Sequence, residues 1–256
     1  MTSTTPAPAA ESRVTALTPL DEDWTSLLAV VAHPDDMEYG AASAVARWTS
    51  QGKSVRYLLA TRGEAGIDSM APDEAARVRT AEQIASCAAV GVGEPEFLDH
   101  PDGTIHDAML LRRQIAAAIR RHRPDVVLTV NHRESFGPGM LNMADHRVVG
   151  MAAIDAVRDA ANRWVFPDLA GPDGDAWEPW TGVRMTLVSG TPSPTHAVDV
   201  SDHLQAGIDS LHCHAAYLAG LGDGWPPPEE FLTQWANRTG ERFGGRPAVA
   251  FEVFGA

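Results

Sequence analysis

The chain reads as an α/β protein: a doubly wound, mostly parallel sheet flanked by helices, with a smaller α+β extension toward the C-terminal end. Short apolar runs alternate with stretches of helical periodicity, the pattern that strand–helix–strand units leave in a sequence. The runs Leu27–Val31 and Asp125–Val130 are nearly all apolar, as strands covered on both faces must be. Polar clusters follow the apolar runs, and in open α/β sheets ligands bind outside the carboxyl ends of strands.

In order, residues 1–20 are rich in Ser, Thr, Pro and Ala at the start and are expected to form a poorly ordered tail. The first strand, at Leu27–Val31, ends in Ala32-His33-Pro34-Asp35-Asp36, and a helical pattern begins near Met37. Ala42, Val45 and Trp48 form one stripe of a helix that Gly52 stops. Ser54–Ala60 reads as the second strand, leaving through Thr61-Arg62-Gly63-Glu64-Ala65-Gly66. Pro72-Asp73-Glu74 opens a helix, with proline early and acids against the dipole, that runs to Gly91. Glu96–Asp99 is a third strand before the turn His100-Pro101-Asp102-Gly103.

A helix from about Asp107 to His122 ends at Pro124, and the fourth strand, Asp125–Val130, exits into Asn131-His132-Arg133. The next helix spans about Ala144–Asn162, and residues 167–180 are expected to be a loop. Strands near 184–189 and 197–200, one helix over 201–221, a proline linker at Trp225–Pro228, a helix over 229–239 and a last strand over 248–254 complete the reading.

The formal net charge of −14 argues against nucleic acid or an anionic membrane as partner. No apolar run is long enough to span a bilayer, and the first residues lack the basic and apolar regions of a signal peptide. A cytoplasmic protein is expected, with Cys87 and Cys213 both reduced. The partner expected is a small molecule, and a homo-oligomer is left open.

The chemistry concentrates at the first strand's exit. His33 and Asp36, three residues apart across a strand-to-helix turn, could face one metal ion while Asp35 stays free beside it. Catalytic zinc sites use three protein ligands drawn from His and Asp/Glu and keep a fourth position for water. His146 is the best third ligand, because it begins the helix after the fourth strand, and strands one and four neighbour in this topology. Asp35 would then take a proton from water whose pKa the metal lowers to roughly 7. A competing reading has Asp35, Asp36 and Glu38 merely capping a helix start. The turn lacks G-x-G-x-x-G, which removes the usual dinucleotide explanation.

The stretch Ala32-His33-Pro34-Asp35-Asp36 resembles the A-H-P-D-D signature of the PIG-L/LmbE family of metal-dependent de-N-acetylases. Thr61–Gly66 is similar to its T-x-G-E-x-G loop, Arg79-x-x-Glu82 before Val90-Gly91-Val92 to its R-x-x-E…L-G-V helix, and Phe97-Leu98-Asp99 with Asp102-Gly103 to its F-L…D-G turn. The resemblance implies a single deacetylase domain over residues 21–256 on a Rossmann-like sheet. It implies zinc at His33, Asp36 and His146, with other divalent transition metals possible, and Asp35 as general base. The implied reaction removes an N-acetyl group from an amino sugar or glycoconjugate.

One departure stands out. The family's third-ligand motif reads H-P-D-H, and here the stretch is Met143-Ala144-Asp145-His146. Met143 cannot donate the hydrogen bond that the usual histidine, paired with the Asp, supplies. The expectation is that Asp145 stays catalytic and that a histidine from the last third fills the gap, His214 first and His196 second. Arg62, Glu64, Arg133 and Asn142, on sheet-edge loops, are candidate substrate contacts, with His196 beside them. Rival readings are an amidase acting on another amide, such as a thiol-sugar conjugate, and a catalytically weakened sugar-binding protein.

Overall fold

A computed structural model describes residues 15–222 and 224–255. The elements run β1 (Thr18–Pro19), β2 (Ser26–Val31), α1 (Asp36–Gly40), α2 (Ala42–Ser50), β3 (Ser54–Leu59), α3 (Pro72–Ala89), β4 (Glu96–Phe97), α4 (Ala108–His122) and β5 (Val126–Val130). There follow β6 (Ser135–Gly137), β7 (Met140–Leu141), α5 (Ala144–Ala161), β8 (Met185–Ser189), β9 (His196–Asp199), α6 (Leu204–His212), α7 (Ala215–Gly220), α8 (Pro228–Gly240) and β10 (Ala248–Gly255).

The main sheet has eight strands in the order β1-β9-β10-β8-β5-β2-β3-β4. Every pairing from β4 to β8 is parallel, and β10 is antiparallel to both its neighbours. The C-terminal extension thus lengthens the same sheet. The first and fourth strands of the sequence reading, β2 and β5, pair directly, with Val30 opposite Thr129. From β2 the chain winds outward first through β3 and β4, then through β5 and β8. The strand order therefore reverses between β2 and β5, where this topology opens a crevice.

Strand β2 alternates its side chains between two cores, which explains its unbroken apolar run. Leu27, Ala29 and Val31 pack with Val45 and Trp48 of α2 on one face. Leu28 and Val30 pack with Leu111, Ile115 and Ile119 of α4 and with Val149 and Ala153 of α5 on the other. Two layers of helices thus clamp the strand whose exit carries His33.

Three expectations need correction. The tail expected over residues 1–20 falls largely on residues 1–14, outside the described residues, but its end is built into the sheet. Thr18 and Pro19 pair with β9, while Leu17 and Leu20 are buried, because an edge strand and two apolar side chains outweigh the local composition. The single helix expected over 201–221 is two helices, α6 and α7, broken at Cys213-His214, where the His214 N–H turns back to the Leu211 carbonyl. The short β6–β7 hairpin after β5 was not foreseen. Cys87 and Cys213 are both free thiols, as expected.

Candidate metal centre

Asp36 sits at the start of α1, where its side chain folds back over the strand exit. Its Oδ2 accepts the backbone N–H groups of Ala32 and His33, each at 2.9 Å. That leaves Oδ1 free, and Oδ1 lies 2.9 Å from His146 Nε2 and 3.8 Å from His33 Nδ1. The two ring nitrogens are 3.3 Å apart. Facing imidazole nitrogens beside a carboxylate need a shared cation or proton between them.

The surroundings decide which nitrogen of each ring carries hydrogen. His33 Nε2 lies 3.0 Å from Asp102 Oδ1 and 3.4 Å from Asp145 Oδ2. Ionised carboxylates only accept, so Nε2 carries hydrogen and Nδ1 turns its lone pair inward. Asn142 does the same for His146. Its amide nitrogen donates to the carbonyls of Asn131 and Arg133, so its oxygen faces His146 Nδ1 at 3.0 Å. His146 Nε2 is left to point at the cluster. The inward atoms are two imidazole nitrogens and one carboxylate oxygen, at separations bracketing the roughly 3.3 Å that a tetrahedral zinc site requires. A second group, His33 with Asp102 and Asp145, also draws together. It fits a metal less well, because it uses the protonated side of His33, and Asp145 already accepts the N–H groups of Gly103 and Ile105.

Burial alone would push the His33 imidazole down, but Asp102, Asp145 and Asp36 hold it well above its ordinary value. Burial would likewise raise Asp36, and the adjoining His146 and His33 keep it well below the usual carboxylate range.

Asp35 is buried, yet it is not part of the cluster. Its backbone is left-handed, φ 93°, a region that side chains other than glycine rarely adopt. Its N–H donates to Gln83 Oε1, and its Oδ2 lies 3.2 Å from the Arg79 guanidinium. Arg79 is itself fixed by the carbonyls of Pro34 and Gly63 and lies over the Tyr217 ring. Burial raises the Asp35 carboxyl to about 6 against the pull of Arg79. Such a value suits a base working near neutrality.

Behind this layer lies a buried carboxylate. Glu38 accepts from Ser86 and from Gln83, and its other oxygen lies 3.6 Å from His214 Nε2. Burial opposes charge on both, yet their pairing holds the His214 imidazole above its ordinary value and the Glu38 carboxyl below. The expected replacement of Met143 by His214 as partner of Asp145 is not formed: the imidazole beside Asp145 is His33, and His214 pairs with Glu38. Met143 is more than half exposed at the start of α5.

The other candidates are engaged in the fold. Arg62 contacts Asp99 and Thr80 and covers the Phe97 ring, and Glu64 accepts the backbone N–H groups of Arg62 and Asp102. Arg133 pairs with Glu252, and Asn142 holds His146 rather than reaching outward. His196 bonds Thr195 on β9, four strands from β2, roughly 19 Å at the spacing of paired strands. Sequence reasoning gave no role to Gln83 or Tyr217, and read Asp102, Arg79 and Glu38 only as motif or capping residues. The D-G and R-x-x-E resemblances were the available signals for Asp102 and Arg79.

Residues 28–157 match the family described as PIG-L, GlcNAc-PI de-N-acetylase. The chain belongs to this family. A diacetylchitobiose deacetylase of Thermococcus kodakarensis is 27% identical over 228 residues, which cover 88% of this chain and 82% of that protein. A 1D-myo-inositol 2-acetamido-2-deoxy-alpha-D-glucopyranoside deacetylase of Kineococcus radiotolerans is 30% identical, covering 75% and 68% of the two chains. Among solved structures, the N,N'-diacetylchitobiose deacetylase of Pyrococcus horikoshii superposes with a TM-score of 0.81 at 23% identity, over 91% of this chain and 85% of that one. At that identity the likeness speaks to the fold. It agrees with the mostly parallel, helix-flanked sheet. Within this PIG-L family chain, no helix among the described residues is long and apolar enough to cross a membrane.

Proposed function

We propose that this protein is a zinc-dependent N-deacetylase that hydrolyses the acetamide of an N-acetylated amino sugar or glycoconjugate. The observation that carries the proposal is the set of inward lone pairs on His33, Asp36 and His146 beside a buried acid, Asp35, that is not part of the set. The kinship to deacetylases supports it. Zinc bound to this set would supply Lewis-acid polarisation of the amide carbonyl and acidify water to a pKa of roughly 7.

The protein's own groups do the rest. Asp35 accepts the proton as water oxygen bonds to the carbonyl carbon, then delivers it to nitrogen as the C–N bond breaks, giving acetate and a free amine. Arg79 and Gln83 hold Asp35 in its left-handed conformation, so the carboxylate need not reorganise during the transfer. Asp102, Asp145 and Asn142 keep the two ligand imidazoles in the tautomers that expose a lone pair. His214 acts through Glu38 and Gln83 as a positioning group for Asp35.

A second reading, a sugar-binding protein with weakened turnover, is favoured by Met143, which offers no donor at the place where the H-P-D-H motif it resembles has its first histidine. An amidase releasing a larger acid is the alternative within hydrolysis. Metal analysis of the purified protein, coupled to amine and acetate release from N-acetylglucosamine derivatives, tests all three. The expected result is about one zinc per chain, acetate as the acid, and a loss of about 10²–10⁴-fold in turnover on Asp35→Asn with zinc retained. Binding without hydrolysis by the unaltered protein would favour the second reading, and release of a larger acid the amidase. Cobalt, iron or nickel in place of zinc would revise only the metal, since a mixed nitrogen and oxygen set accepts each of them.

A further inference from the structure

The short helix α7, which follows the break at Cys213-His214, reaches the proposed base through α3. Two α3 residues one turn apart, Arg79 and Glu82, make the connection. Glu82 Oε1 accepts the Ala216 N–H at 2.5 Å, which ties down the first turn of α7. The Arg79 guanidinium lies over the ring of the next residue, Tyr217, 4.4 Å from its centroid. The loop over residues 61–66 packs on the same guanidinium. A Cβ at Gly63 or at Gly66 would overlap it, so both positions need glycine to admit it. The guanidinium donates to the carbonyls of Gly63 and Pro34 at 3.0 and 2.5 Å and faces Asp35 Oδ2 at 3.2 Å. Arg79 is 2% exposed and Asp35 5%, so this cation and this carboxylate meet almost out of water.

Tyr217 itself is half-buried. Burial first, then the charge of Asp35 and a hydrogen bond to it, push the phenol well above its ordinary value. The hydroxyl therefore keeps its proton and remains a donor. An aromatic face over a guanidinium attracts it and excludes water from it, and charge interactions strengthen as water is removed. Tyr217 lies on a segment beyond residues 28–157, the part that matches the family. Resting on the reading of Asp35 as the base, we propose that Tyr217 is a positioning residue for it. The ring seals Arg79 against Asp35, while the hydroxyl donates to the same carboxylate. The break between α6 and α7 then serves the base twice. It sets His214 against Glu38 behind Gln83, and three residues later it sets Tyr217 over Arg79.

The experiment uses the full chain loaded with zinc and follows acetate release from N,N'-diacetylchitobiose. Tyr217→Phe keeps the ring over Arg79 and removes the hydroxyl, whereas Tyr217→Leu removes both. The expected loss in kcat is about tenfold for Tyr217→Phe, the usual worth of a hydrogen bond to a charged group. Tyr217→Leu should lose about fivefold more, with KM and zinc content within about twofold in both variants. A residue that acts through Asp35 has nothing to act on once that carboxylate is gone. Tyr217→Phe should therefore cost no further turnover in an Asp35→Asn background. The same cycle read in denaturant unfolding needs no substrate, and there the two residues should couple by about tenfold in the unfolding equilibrium constant. Circular dichroism of each variant separates loss of the contact from loss of folding. Full turnover by Tyr217→Phe, an equal loss with and without Asp35, or additive effects on unfolding would overturn the positioning role and leave the deacetylase reading standing. Full turnover by Asp35→Asn would overturn the base on which both rest.

Discussion

At the scale of single residues, orientation matters more than proximity. Several acids lie near His33, but only Asp36 presents a free oxygen to its inward nitrogen, because its second oxygen is occupied by two backbone N–H groups. Asp102 and Asp145 act on the opposite nitrogen and fix the tautomer. Outer partners of ligand histidines typically carry 10–100-fold in metal affinity. Asp102→Ala should accordingly weaken zinc binding by about that range, measured by competition with a coloured chelator, without unfolding the chain. Undiminished affinity would show that Asp145 suffices alone. His33, Asp35, Asp36 and His146 were legible in the sequence because short motifs hold them. That Asn142, Arg133, Arg62 and Glu64 have partners within the fold was not legible, because a polar loop residue looks the same in sequence whether it faces ligand or ties down backbone.

Among elements, the approach of α5 to β5 sets the site's dimensions. α5 carries Asp145 and His146 in its first turn and runs back across the end of β5. At Gly150 an added Cβ would stand 2.6 Å from the Val130 carbonyl oxygen and 3.0 Å from the His132 side chain. Backbone oxygen cannot swing aside as a flexible side chain can, so the helix itself would have to move. Gly150→Ala should cost about 1–3 kcal/mol of stability, the usual cost of overpacking. It should also lower turnover, because His146 shifts with its helix. Denaturant unfolding and zinc content check this together, and unchanged values in both would mean that the helix is not held by that contact. The break between α6 and α7 belongs to the same scale. No Gly or Pro marks it in the sequence, and its effect is to lodge His214, fully buried, against Glu38.

For the whole molecule, the net charge of −14 sets a background that favours cations, while the switch in strand order decides where one would sit. A metal that binds only the folded state stabilises it by mass action, by about 2.7 kcal/mol at a free concentration 100 times the dissociation constant. For a chain of this size that is about 5–10 °C in melting temperature. Removing the metal with a chelator should lower the melting temperature by that amount, and added zinc should restore it. A melting temperature indifferent to chelator would argue that the three inward groups hold no metal.

The sequence by itself determined the alternation of strands and helices, the two-faced burial of the central strand, and the local turn that gathers His33, Asp35 and Asp36. These are written in spacing along the chain, and backbone geometry reads spacing directly. Tertiary structure alone decided that Asn142 turns His146 toward the cluster and that Arg79 and Gln83 flank Asp35. It also decided that Asp102 backs His33 and that His214 answers Glu38 rather than Asp145. Most of these are contacts between distant segments, selected by packing and by the need to satisfy buried charge, and no local pattern encodes them.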